Sequence, residues 1–143
     1  MKNILKLDTM KWYGSLISLL VLVAIVANGC KDYPVDEDGL LITGRGQCYV
    51  SNFELVGVDF QTVRTIAPAI DTTACTINVE VHFGTDLKNL YPQFTLVTDA
   101  KLEPKVTGFT DFSDLANPKK YTVVSGNRKV SKTYTLSISV QHP

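Results

Sequence analysis

From about Leu40 to the C-terminus, apolar and polar residues alternate with a period of two, the repeat of a strand with one buried face. Ile77, Val79, Val81 and Phe83 fall on one side, with Thr76, Asn78, Glu80 and His82 on the other. Tyr134, Leu136, Ile138 and Val140 alternate in the same way with Thr135, Ser137, Ser139 and Gln141. Both segments predict half-buried antiparallel strands. Residues 49–56 predict a third strand with Phe53 and Leu55 inward, and residues 93–98 and 120–125 a fourth and fifth. The pattern is weaker at 63–66 and 105–109. Ser125-Gly126-Asn127-Arg128 reads as a hairpin turn, with Gly and Asn accepting positive φ. Residues 86–90, between Gly84 and Pro92, predict one helical turn, and no ten-residue stretch carries a helical stripe. About seven short strands punctuated by Gly, Pro, Asn and Asp predict an all-β, antiparallel β-sandwich of the Ig-like kind over residues 47–143.

The first thirty residues follow a different rule. Lys2, Lys6 and Lys11 precede an apolar run at 16–27, broken by Ser18. As a helix that run rises roughly 18 Å, short of the ~30 Å of hydrocarbon that a spanning helix crosses. It fits the cationic n-region and apolar h-region of a secretory signal over residues 1–29, with Met10 an alternative start. The following Ala27-Asn28-Gly29-Cys30 resembles the bacterial lipobox, although Ala27 stands where that motif usually has Leu. The resemblance implies that Cys30 becomes the lipidated N-terminus, carrying diacylglyceryl and fatty acyl chains such as palmitate. Such chains hold a protein on a membrane at ~0.8 kcal/mol per buried methylene. The alternative is an ordinary thiol beyond a conventional cleavage site. Residues 30–46 contain Asp32, Asp36, Glu37 and Asp38 with Pro34 and Gly39, and they read as a solvated, flexible tether. The stretch also resembles the acidic export signal of Bacteroidetes surface lipoproteins, which implies the outer membrane and the cell surface. A plain acidic linker is the other reading.

Composition narrows the function classes. The chain has 143 residues, 45% of them hydrophobic, with 14 basic and 14 acidic side chains. This excludes a wholly disordered chain and gives no basic excess for nucleic acid. Without residues 1–29 there remain 11 basic and 13 acidic side chains and no tryptophan. Cys48 and Cys75 could pair in an oxidising compartment. As the starts of neighbouring antiparallel strands, however, they would lie roughly 20 Å apart, and two small buried thiols fit better. His82 and His142 stand without a Cys, His or Glu cluster, so no metal site is expected. His82 has no partnered nucleophile in the sequence, and Glu103, Asp111 and Asp114 read as solvated loop carboxylates. Gly44-Arg45-Gly46 lacks the spacing of a phosphate cradle. No cofactor and no enzymatic activity are expected.

The run Phe83-Gly84-Thr85-Asp86-Leu87, then Tyr91-Pro92, Phe112, Asn117-Pro118, Lys120-Tyr121-Thr122-Val123 and Lys132-Thr133-Tyr134-Thr135-Leu136 resembles an Ig-like domain of Bacteroidetes lipoproteins. That module is mostly uncharacterised and is met in surface lipoproteins of glycan-utilisation loci. The likeness covers roughly residues 48–141 and brings no catalytic residues. It implies an accessory or spacer module of an envelope complex, with other envelope proteins or glycans as partners. A structural subunit of a surface fibre or adhesin, accepting a partner's strand at a sheet edge, is the alternative. Sugar stacking needs exposed aromatics, and Phe60, Tyr91, Phe109 and Phe112 fall in or near loops. They are the candidate ligand contacts. Asp71-Thr72-Thr73 fits the short motif that Bacteroidetes enzymes O-glycosylate, which makes Thr72 a candidate modification site.

Overall fold

Seven strands form among the residues described by the computed structural model, Tyr33–Pro143. The signal segment and Cys30 lie outside the described residues. In chain order the strands are β1 (Val50–Val56), β2 (Ala69–Asp71), β3 (Thr76–Val81), β4 (Tyr91–Leu96), β5 (Lys101–Glu103), β6 (Lys119–Val124) and β7 (Ser131–Val140). β1 and β4 pair antiparallel as one sheet, and the other runs in the order β2-β3-β7-β6-β5. The all-β sandwich expected from the alternation is the fold observed.

The long strand β7 organises the larger sheet. Its first half, Ser131 to Leu136, pairs antiparallel with β6, while Thr135 to Val140 pairs with β3. The β3 pairing is parallel, with Val79 opposite Ile138, where an antiparallel neighbour was expected. Period-two alternation reports that a strand has one buried face, and carries no information on the direction of its neighbour.

The inward positions meet between the sheets. Phe53, Leu55, Ile77, Val81, Val123 and Tyr134 are fully buried, and Leu90 and Leu136 almost so. Phe94 of β4 packs 4.9 Å from its cross-strand partner Phe53 within the smaller sheet, and crosses the sandwich to Tyr121 of β6 at 4.7 Å. Each such side chain contributes ~1.5–3 kcal/mol by leaving water. The buried Cys48 thiol donates to the Val123 carbonyl at 2.9 Å, and burial pushes its pKa up. Cys75 is half-buried rather than buried, at a left-handed φ of 55°, and both thiols are free. Cys48 lies just before β1 and Cys75 in the turn before β3, strands of different sheets, so the neighbouring-strand geometry expected for them does not apply.

Three expectations need correction. Phe83 is 67% exposed, because β3 ends at Val81 and the chain turns at Gly84, φ 83°. Residues 63–66 contribute the isolated Arg64–Val81 bridge rather than a strand, and 105–109 run as a loop. In the β6–β7 connection the positive φ falls on Arg128, at 59°. Gly126 serves instead a close approach: a Cβ there would lie 2.5 Å from Thr43 Oγ1 and 2.8 Å from Asp99 Cβ.

That approach belongs to a strap. Residues 34–45, expected to be solvated, are hydrogen-bonded to themselves and to the β6–β7 turn. Ile42 N–H donates to Pro34 O and Asp36 N–H to Leu40 O, closing a small loop at Gly39. Thr43 N–H then donates to Gly126 O, and Asn127 N–H to Arg45 O. The compact unit therefore runs Pro34–Pro143.

Candidate functional site

Phe60, Tyr91 and Phe109 come from three separate segments and converge. Their ring centres are 6.3 Å (Phe60–Tyr91), 5.8 Å (Phe60–Phe109) and 5.9 Å (Tyr91–Phe109) apart. These separations lie within the range of favourable aromatic pairs. Phe60 is 63% exposed and Phe109 45%, with Tyr91 half-buried between them. The result is an apolar platform open to solvent.

Each ring is held from below. Phe60 sits in a turn in which its N–H donates to Gly57 O and Gly57 N–H to Gln61 O, with Asp59 Oδ1 accepting from Gln61 N–H. The turn puts Phe60 at φ 58°, a conformation costing a bulky residue of order 1–3 kcal/mol. The loop returns to β1 by pairing Thr62 with Val56. Glu54 fastens it: its carboxylate accepts from Arg64 Nε at 2.8 and 2.9 Å and from the Thr62 hydroxyl at 2.7 Å. Arg64 beside it, opposed by partial burial and helped by Thr62, holds Glu54 below the usual carboxylate range. Tyr91 opens β4 opposite Val56. Phe109 is placed by its neighbour Thr110, which exchanges both backbone hydrogen bonds with Leu90, at 2.7 and 3.2 Å.

Phe112 does not join them. It is 4% exposed, its N–H donates to Leu87 O at 2.8 Å, and it packs in the core. A phenyl ring that reaches the sandwich interior gains more from burial than from a place on the surface. Thr72 is exposed in the turn between β2 and β3, where Asp71 Oδ1 accepts from the N–H groups of Ala74 and Thr73. Those two N–H groups hold Asp71 below the usual carboxylate range.

The carboxylates weighed from the sequence are engaged separately. Glu103 pairs with Lys101 at 2.9 Å, Asp111 accepts from the Ser113 hydroxyl and N–H, and Asp114 accepts from the Asn117 amide. His82 is exposed, and its backbone N–H donates to Val63 O.

A second feature was missed by sequence reasoning. Beyond the end of β5 the chain swings away from β6, leaving a groove of about 310 Å³ lined by Lys105, Thr107, Phe109, Lys119, Lys120 and Tyr121. Lys119-Lys120 is visible in the sequence, but Lys105 reaches it only through the path of the 104–110 loop. Phe109 is common to the groove and the platform.

A model of the family described as "SGBP, N-terminal" matches residues 58–138. Among solved structures, the chain is similar to a Bacteroides thetaiotaomicron protein provisionally described as a glycoside hydrolase, with 31% identity and a TM-score of 0.56. That match covers 68% of this chain and 26% of the other, so the chain spans about a quarter of that protein's length. More distant likenesses are a Bacteroides fragilis protein provisionally described as secreted and a DUF4623 family protein from Bacteroides eggerthii. The first has 12% identity and a TM-score of 0.49, covering 67% of this chain and 97% of that one. The second has 17% identity and a TM-score of 0.49, covering 68% and 22%. No curated protein matches the chain.

Proposed function

The chain belongs to the family described as "SGBP, N-terminal", and from that premise we propose that it is a non-enzymatic accessory module of a surface glycan-capture apparatus. The platform of Phe60, Tyr91 and Phe109 is its sugar-facing surface. One observation carries this reading: three rings from three segments converge at the surface, Phe60 and Phe109 exposed and Tyr91 half-buried between them, with Phe60 at a left-handed φ. The apolar face of a pyranose stacks on such rings, and a strained residue that keeps its aromatic side chain points to use rather than to packing.

The anchor in this proposal is the lipid on Cys30, which places the module on the outer membrane with Pro34 as the first residue of the folded unit. Exchange of Cys30 for Ser would then move the protein from the membrane fraction to the soluble one; retention in the membrane contradicts the anchor. Thr72, exposed beside Asp71, is the proposed O-glycan acceptor.

The edges support a spacer-like module over a fibre subunit. β2 and β5 have three residues each, Pro68 precedes β2, Pro104 follows β5, Pro92 interrupts the donors of β4, and the end of the fourth edge, the seven-residue β1, is covered by Thr62 and Val63. Short, proline-marked edges are poor templates for strand addition.

The test is a panel of neutral and acidic oligosaccharides offered to the wild type and to a Phe60→Asn, Phe109→Ala double variant. Binding by the wild type that the double variant loses supports the platform. No binding at millimolar sugar, or equal binding by both proteins, contradicts it.

A further inference from the structure

The groove beside the platform carries a charge that the platform lacks. It opens where β5 stops at Glu103 and the 104–110 loop departs from β6, so β6 is uncovered along Lys119, Lys120 and Tyr121. Lys105 stands on the loop side and Lys119 and Lys120 on the strand side, all three exposed. Tyr121 is buried, and burial pushes its phenol pKa up. Phe109 forms one wall and is also a member of the aromatic trio.

We propose that this groove binds the anionic substituent of an acidic polysaccharide, a uronate carboxylate or a sulfate ester, while the adjoining ring stacks on Phe109. The proposal rests on the platform reading and names the class of glycan. The complementarity is local, since the sequence as a whole is balanced at 14 basic and 14 acidic residues, yet three lysines are among the residues that line one cleft. The competing anion is Asp111, close enough to Lys119 and Lys88 for their attraction to help keep it charged. Its Oδ1 is already engaged by both Ser113 donors, at 2.7 and 2.8 Å. Lysine suits the role, because an ammonium acts as a mobile point charge and accepts carboxylate or sulfate in several geometries. The groove volume of about 310 Å³ sits at the small end for ligand sites and fits one substituted sugar residue rather than a buried oligomer.

The test is titration of the full chain with length-matched hexasaccharides: neutral (cellohexaose, maltohexaose) and acidic (hexagalacturonate, with carboxylates only, and a κ-carrageenan hexasaccharide, with sulfate esters only). The expected result is at least tenfold tighter binding of an acidic probe than of either neutral one at low salt, declining as salt rises. A Lys119→Ala, Lys120→Ala variant should bring acidic binding down to the neutral level and leave neutral binding as it was. These lysines are exposed, so the variant keeps its fold. The carboxylate and sulfate probes distinguish the two anion sources. Equal affinity for neutral and acidic probes overturns this inference and leaves the platform standing. Binding of no probe overturns the platform as well. Acidic binding that survives the lysine replacements, or that persists in Phe109→Ala, marks charge attraction elsewhere and also overturns the groove.

Discussion

Arg128 Nε donates to Asp36 Oδ2 at 2.8 Å, joining the start of the folded unit to the turn between its last two strands. The same guanidinium donates to the carbonyls of Ser125, Asp99 and Leu41, and Lys101 Nζ lies 3.3 Å from Asp36, 2.7 Å from Asp38 and 2.9 Å from Glu103. Arg128 and Asp36 are largely covered, at 15% and 9% side-chain exposure. The acidic stretch is therefore a clasp. It fixes where the preceding chain leaves the sandwich.

Acid should open that clasp. Burial works against the charged form of Asp36, but the Leu40 N–H, Arg128 and Lys101 outweigh it and lower its pKa from 3.8 to about 2. A depressed carboxylate stabilises the fold above its unfolded-state pKa, and that contribution fades as pH falls from about 4 through about 2. Melting temperature followed by circular dichroism should decline over this window. Asp36→Asn should melt lower at neutral pH and lose that part of the pH dependence.

The core prediction separates two positions that the sequence pattern treats alike. Leu136 is 1% exposed and Phe83 67%. Leu136→Asp buries an unpaired charge and should cost more than about 4 kcal/mol, enough to unfold most domains of this size. Phe83→Ser should stay within about 0.5 kcal/mol of wild type in urea denaturation. Comparable losses at both positions would refute the register of β3.

Gly126 should not tolerate a side chain. Its added Cβ would press on Thr43 Oγ1 and on Asp99 Cβ, which is close to the backbone and cannot swing away. Gly126→Ala should destabilise by about 1–3 kcal/mol, the cost of overpacking, or displace the strap from the β6–β7 turn. Protection of the Thr43 and Asn127 amides from hydrogen exchange would fall in either case.

Much of the fold was legible because β3 and β7 alternate cleanly and long enough to declare a buried face. β2 and β5 were not, since three residues are too few for a period. The clasp was hidden for a different reason: a stretch of acids with Pro34 and Gly39 has the composition of a linker, and its partners Lys101 and Arg128 lie 63 or more residues away. Phe60 and Phe109 are exposed, since chain outside the strands tends to stay at the surface, while Tyr91, at the start of β4, is half-buried. Phe112 departs from that rule because its segment turns back onto the core. The convergence of Phe60, Tyr91 and Phe109 depends on the Glu54–Arg64 tie and the Leu90–Thr110 bridge, long-range contacts that no local pattern encodes.

The measurement closest to the central claim compares Phe60→Asn with the wild type in oligosaccharide binding and in denaturant stability, on the same samples. Asn accepts left-handed φ more readily than Phe, so relief of strain offsets the lost ring contacts and stability should stay within about 1 kcal/mol. Binding should weaken at least tenfold, because the exposed ring is gone. Undiminished binding by a folded Phe60→Asn protein would contradict the account.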